Sequence, residues 1–209
     1  GVSQPVTAIN SEWSLMSYLG RINYNYKYKY YITASFRADG SSKFRDGNRW
    51  GYFPSTALSW RIINEDFIKK YKFISDAKLR VGYGVTGNNR VTDYATYAQM
   101  NFDNTNGNFN GYYSFNNSLA QGVFLSSLAN PDLKWETTGQ SNIGLDLGFF
   151  KQRLTITADY YKKITSNLLL NAQLPYSTGY SAAFKNIGKT SNEGFELSFG
   201  LSMGCFLRI

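Results

Sequence analysis

The sequence predicts an all-β protein of antiparallel strands. Three observations carry that reading: alternation of apolar and polar residues, an aromatic-rich and charge-poor composition, and short and long connections sorted to opposite ends. The alternation is cleanest where Ser141, Ile143, Leu145, Leu147 and Phe149 face one way and Gln140, Asn142, Gly144, Asp146 and Gly148 the other. After a tight turn at Phe150-Lys151-Gln152, Leu154, Ile156, Ala158 and Tyr160 alternate with Arg153, Thr155, Thr157 and Asp159. A strand repeats every two residues, so each segment has one apolar and one polar face. In a soluble sandwich the apolar face meets another sheet; in an outer-membrane barrel it meets lipid, and the polar face lines the lumen.

The first strand is read at Met16, Tyr18, Ile22, Tyr24 and Tyr26, opposite Ser17, Arg21, Asn23 and Asn25. A short turn through Lys27-Tyr28-Lys29 leads to Ile32, Ala34, Phe36 and Ala38, opposite Thr33, Ser35, Arg37 and Asp39. A polar loop at 40–49 precedes Tyr52, Pro54, Thr56, Leu58 and Trp60; Pro54 cannot donate to a ladder, so a bulge or strand start is expected there. Ile63, Phe67, Tyr71 and Ile74 then follow helical spacing, with Asn64 as N-cap and Glu65 and Asp66 in the first turn, which predicts one short amphipathic helix. Strands resume at Leu79, Val81, Tyr83 and Val85, opposite Lys78, Arg80, Gly82, Gly84 and Thr86. Long polar stretches at 87–133 and 164–191 flank the hairpin described first, and Phe195, Leu197, Phe199 and Leu201 close a series of about seven strands.

Along such a meander, one end receives Lys27–Lys29, the helical connector and Phe150–Gln152. The other receives all three long loops. Outer-membrane barrels have short periplasmic turns and long outer loops, and aromatics near both strand ends resemble their girdles. A soluble sandwich or half-open barrel accounts for the alternation but not for the sorting of loops.

Composition narrows the function classes. The 209 residues suffice for one sizeable domain. Hydrophobic residues at 43% argue against disorder, and the 17% aromatic content with abundant Asn and Gly suits strands and polar loops. No stretch approaches the ~18 apolar residues of a membrane helix. Histidine is absent, which removes Ser-His-Asp and Cys-His nucleophile systems and nearly all zinc sites. No carboxylate pair stands out and no metal or cofactor is expected, which leaves a carboxylate-only enzyme open on composition. Cys205 stands alone, so there is no intrachain disulfide. The net charge of +8 fits a polyanion partner, nucleic acid or anionic lipid, or an uneven sample of a larger protein's charge. Gly1–Pro5 has no basic n-region or apolar h-region, and the expectation is a cytosolic chain or a processed or partial one.

Three local patterns have a duller reading than their motif suggests. Gly82-Tyr83-Gly84-Val85-Thr86-Gly87 matches G-x-G-x-x-G after a strand, yet no helical stripe follows to meet a pyrophosphate. Asn106-Gly107-Asn108-Phe109-Asn110-Gly111 is calcium-loop-like, but Asn117 stands where a bidentate Glu belongs. Arg37, Lys43, Arg45, Arg49, Lys78, Arg80 and Arg90 are a basic set near aromatics, but no RNP-like strand motif accompanies them.

The sequence resembles the SusC/RagA-type TonB-linked outer-membrane receptors. The resemblance runs through Arg37-Ala38-Asp39-Gly40-Ser41-Ser42-Lys43-Phe44, Trp50-Gly51-Tyr52-Phe53-Pro54-Ser55, Trp60-Arg61 and Glu65-Asp66-Phe67. It continues through Leu79–Gly84 with Thr86-Gly87-Asn88, and is most specific at Asn130-Pro131-Asp132-Leu133-Lys134-Trp135-Glu136-Thr137-Thr138. Asn142–Asp146, Asp159-Tyr160-Tyr161 and Asn192–Leu197 follow in order. It implies a partial transmembrane barrel over 1–209, about seven strands of roughly 22, with the helix in a periplasmic connection. The plug domain, TonB-contacting segment and signal peptide are not expected in this chain, and Met203–Ile209 departs from the family pattern. The implied function is import, without catalysis, of an oligosaccharide or peptide with a SusD-like surface lipoprotein, driven through TonB, in the outer membrane of a Gram-negative, Bacteroidetes-like cell. Outer-membrane lipid is a partner and nucleic acid is not. Arg21, Arg37, Arg80, Asn142, Asp146 and Asp159 are the expected lumen-facing polar residues. Tyr94, Tyr97, Tyr112 and Tyr113 are the candidate contacts to ligand or lid. The rival functions are a soluble β-sandwich that binds glycans and a nucleic-acid-binding module.

Overall fold

A computed structural model describes residues 10–101 and 112–202. Seven strands form one antiparallel sheet in which each pairs with the next in sequence. They are β1 Leu15–Tyr26, β2 Tyr30–Ser41, β3 Trp50–Arg61, β4 Ile74–Asn88, β5 Glu136–Phe149, β6 Leu154–Ser166 and β7 Lys189–Leu201. The sheet is not closed; β1 and β7 are its edges.

The registers hold one apolar face across the whole sheet. Tyr24 lies opposite Ile32, Ile32 opposite Leu58, Leu58 opposite Val81, and Val81 opposite Ile143; Ile143 faces Tyr160 and Tyr160 faces Phe195. Partners in a ladder project to the same side, and a slip of one residue would move the whole apolar set of a strand to the other face. Among the described residues no second sheet covers this face: Ile22 is 72% exposed and Phe199 65%. The cover that a soluble sandwich requires is therefore not supplied by the described chain.

Both tight turns bring consecutive non-glycine residues into the left-handed region, Lys27 and Tyr28 in one and Phe150, Lys151 and Gln152 in the other. That backbone matches the right-handed twist of the flanking strands. On the apolar face, aromatic rings stack near both ends of the strands: Tyr26–Tyr30–Trp60 at the short-turn end, and Tyr18–Trp50 and Phe36–Tyr52 at the other. Gly40 lies beneath Trp50, whose ring would be 3.0 Å from an added Cβ.

The strands run further than hydropathy indicates. β7 begins at Lys189, well before Phe195, and β6 continues to Ser166. Beyond the apolar band both faces are polar, so alternation fades while the hydrogen-bonded ladder continues. The long loops also hold small two-stranded antiparallel ladders: Tyr112–Phe115 with Ser118–Gln121, Met100–Asn101 with Phe124–Leu125, and Leu169–Gln173 with Ala182–Asn186.

Two expectations need correction. The amphipathic helix is not formed; the connector is a 3₁₀ turn at Ile62–Asn64 followed by further turns. Its backbone bonds are mostly of the tighter type, such as Tyr71 N to Ile68 O. Side chains pin it instead. The Glu65 carboxylate accepts from Lys29 Nζ at 2.7 Å, Tyr30 Oη at 3.0 Å and Trp60 Nε1 at 3.1 Å. Asn64, expected as an N-cap, donates from Nδ2 to the Tyr28 carbonyl. A segment this short cannot offset helix nucleation when four side-chain contacts hold it otherwise. Second, Pro54 causes no bulge: β3 is continuous, and its ladder to β4 starts one residue later at Ser55. The irregularity lies in β4, between Ile74 and Asp76.

Candidate functional site

All six residues expected to line the lumen lie on the polar face of the sheet, by the same registers. Arg80 is the centre of a charge cluster there. Its Nε and Nη2 donate to the two Asp146 oxygens at 2.8 and 3.0 Å, and Nη2 reaches Asp159 Oδ1 at 3.0 Å. Thr157 donates to Asp146 as well, at 3.2 Å. The cluster depends on Gly144, which pairs with both Arg80 and Asp159 in the ladders. A Cβ there would sit 2.1 Å from Asp159 Oδ1 and 2.7 Å from Arg80 Nη2. These partly exposed pairs orient side chains more than they stabilise, since such contacts contribute about 0–1 kcal/mol.

Arg21 and Asn142 line a hollow of about 370 Å³ with Thr33, Ser35, Gly82 and Thr138. Arg37 stands apart, with Nε 2.7 Å from the buried Asp39.

At the long-loop end the resemblance motifs meet. Phe44, Phe53, Val91, Leu133 and Trp135 form a buried apolar cluster. Trp135 lies 5.5 Å from each of Phe44 and Phe53, and its Nε1 donates to the Arg49 carbonyl at 3.0 Å. The neighbouring turn is tied down by Asn186, which accepts from Lys134 N and donates to Lys134 O. Glu136 accepts from Asn88 Nδ2 and from Leu169 N. The last glycine of the string has its explanation here: a Cβ on Gly87 would lie 2.0 Å from the Phe53 ring. That glycine makes room for an aromatic side chain. The calcium-like stretch at 106–111 lies outside the described residues.

Beside this cluster is a hollow of about 480 Å³ lined by Glu12, Trp13, Lys43, Asp93, Tyr94 and Tyr97. Lys43 Nζ is 3.1 Å from Asp93 Oδ1, donates to the Val91 carbonyl at 2.9 Å and lies 5.0 Å from the Trp13 ring centre. The Asp93 carboxyl is held below its ordinary range, first by the Ser11 hydroxyl and then by the Lys43 ammonium. Arg45 covers the Tyr97 ring at 4.4 Å, and the Tyr94 hydroxyl donates to the Glu12 carbonyl. The hollow thus combines half-exposed aromatic rings with ionised groups, a combination suited to holding a polar ligand by stacking and hydrogen bonds.

The structure therefore brings Tyr94 and Tyr97 together. Tyr113 does not line this hollow; it sits on a small hairpin, edge-on to Phe115. The Tyr112 side chain lies outside the described residues. Sequence reasoning missed Trp13, Asp93 and Glu65. Trp13 precedes the alternating pattern, Asp93 acquires its role from Lys43 and Ser11 far away in sequence, and Glu65 acquires its role mainly from the distant Lys29 and Tyr30.

Residues 7–207 match the family model described as TonB dependent receptor-like, beta-barrel. The chain is 44% identical over 185 residues to TonB-dependent receptor P39 of Formosa agariphila, covering 88% of this chain and 17% of that protein. It is 39% identical over 201 residues to TonB-dependent receptor SusC of Bacteroides thetaiotaomicron, covering 92% and 19%. Among solved structures, the RagAB peptide importer in its closed-closed state superposes with a TM-score of 0.80 at 31% identity, over 93% of this chain and 20% of that one. The siderophore receptor PirA of Acinetobacter baumannii, at 17% identity and a TM-score of 0.60, shares the fold. The chain spans about a fifth of the length of these receptor relatives.

Proposed function

Because this chain belongs to the TonB-dependent receptor-like β-barrel family, a family of outer-membrane receptors and transporters rather than enzymes, we propose that it is the late barrel portion of an energised nutrient importer. The observation that carries the reading is the single exposed apolar face across seven consecutive strands. In a closed barrel that face meets lipid, and the polar face with Arg21, Arg37, Arg80, Asn142, Asp146 and Asp159 lines the lumen. The long loops face outward and the short turns face the periplasm. The cargo is an oligosaccharide or a peptide, a SusD-like lipoprotein covers the outer mouth, and TonB acts through the plug-bearing remainder of the full-length protein. Tyr94 and Tyr97 contact the cargo or the lid; Tyr112 and Tyr113 belong to the same loop.

The test uses the full-length receptor in its own outer membrane. Labelled oligosaccharides and oligopeptides are offered to matched strains with and without a working TonB system. One class should accumulate inside the cell, and its accumulation should stop when TonB is removed. Accumulation of neither class, or uptake indifferent to TonB, would refute the proposal.

A further inference from the structure

Along the short-turn edge of the apolar face, Tyr26 stacks on Tyr30 at 6.4 Å and Tyr30 on Trp60 at 6.2 Å. The Tyr30 hydroxyl and the Trp60 indole N–H both donate to Glu65, so the polar tips of two rings meet the rim. Inward from this row, Tyr30, Ile32, Leu58, Trp60, Leu79 and Val81 line a groove of about 440 Å³. The row Ile32–Leu58–Val81 lies one strand repeat further in than Tyr30–Trp60–Leu79. The groove therefore spans three strands and two such rows, and its wall is almost wholly apolar side chain, as contact with a hydrocarbon chain requires.

The rim beside the groove carries more positive charge than its carboxylates neutralise. Lys29 pairs with Glu65 and Lys69 with Asp66. Lys27, Lys70 and Lys72 have no carboxylate partner among the described residues. Lys27 Nζ lies 5.2 Å from the Tyr26 ring centre, at the end of the stacked row. Lys70 and Lys72 are exposed on the connector that leaves β3 just after Trp60. That connector also displays Phe67, Tyr71 and Phe73, and Phe73 stacks on Phe149 of the apolar face at 6.2 Å.

Contact with uncharged hydrocarbon requires no lysines, and a soluble anion requires no groove. Amphipathic rings at the headgroup level mark a membrane interface, and lysines beside them select anionic headgroups. We propose that this rim binds a two-chain anionic glycerophospholipid of the inner leaflet, one chain in the groove and the phosphate headgroup against Lys27, Lys70 and Lys72. The inference rests on the reading that the apolar face meets lipid with its short turns toward the periplasm.

The experiment measures lipid retention by native mass spectrometry on the full-length receptor in uncharged detergent. Phosphatidylglycerol and phosphatidylcholine with matched chains are the probes. The receptor should retain phosphatidylglycerol preferentially. The double variant Lys70→Gln/Lys72→Gln should lose about 25-fold in that retention, roughly fivefold per lysine, with phosphatidylcholine unchanged. Leu58→Trp, which fills the groove, should lower retention of both lipids. Equal retention of the two lipids by the native receptor, or an unchanged preference in the lysine variant, overturns the site. Insertion and TonB-dependent uptake are followed in parallel. A receptor that inserts and imports but shows no lipid preference loses only this inference, whereas one that fails to insert defeats the transport reading.

Discussion

Replacing Trp135 with alanine should open the long-loop end while leaving the strand ladders intact. Trp135 is only 7% exposed and packs between Phe44 and Phe53, with both ring centres at 5.5 Å. Truncating a buried tryptophan costs about 3–5 kcal/mol, from lost transfer energy and the cavity left behind. The indole N–H bond to the Arg49 carbonyl goes as well, but that carbonyl keeps its backbone partner, Ser41 N at 3.1 Å. Trp135→Phe isolates the smaller part: it keeps a ring in the cluster and should cost about 1–2 kcal/mol. The cluster joins the ends of β3 and β4 to the loops at 42–49 and 133–135, so the loss is local. Amide hydrogen exchange on the full-length receptor is the suitable assay, since it reads local opening. Amides in 41–51 and 88–91 should exchange roughly two to four orders of magnitude faster in Trp135→Ala. Amides in 154–164 should change little. Unaltered protection at 41–51, or equal loss across the sheet, would refute the role assigned to this cluster.

Gly87→Ala should be more damaging than Gly144→Ala. Its Cβ would meet the packed Phe53 ring, at a cost of about 1–3 kcal/mol or more, whereas that of Gly144 meets movable side-chain ends at about 1 kcal/mol; thermal unfolding of the two variants gives the order. Leu145→Arg should destabilise an intact barrel by about 2–4 kcal/mol near the bilayer midplane, whereas Asn142→Arg on the opposite face should be tolerated; the folded fraction on unheated SDS gels separates them. The rim contact of Glu65 should be pH-dependent. Hydrogen bonds from Lys29 first, then Trp60 and Tyr30, hold the Glu65 carboxyl below the ordinary value of 4.5, so its contribution is fully present above that value and lost as pH falls through the lowered one. The same contact holds Lys29 above 10.5, so the lysine's contribution is lost only as pH rises through that raised value. The protection of amides at 61–72, taken relative to their intrinsic exchange rate at each pH, should fall on acidification in the native receptor, and be low and nearly independent of pH in Glu65→Gln.

The alternation of Ile143, Leu145 and Leu147 with Asn142, Gly144 and Asp146 was enough to assign strand type and faces. Period-two patterning is a local property, and one buried or lipid-covered side imposes it residue by residue. The sorting of short and long connections pointed to barrel topology for the same reason: it follows from chain order alone. Local pattern misled at 62–73, where helical spacing was real but Glu65 found partners on β2 and β3 that fixed a 3₁₀ turn instead. It was silent at Lys189–Asn192, because a ladder continues where both faces are polar. Only the tertiary structure decided that Gly144 makes room for the Arg80–Asp146–Asp159 cluster and Gly87 for Phe53. It alone brought Phe44, Phe53, Val91 and Trp135 into one core and placed Tyr94 and Tyr97 beside Lys43 and Asp93. These are contacts between residues far apart in sequence, and they depend on strand register and on the path of the long loops, which no periodicity encodes.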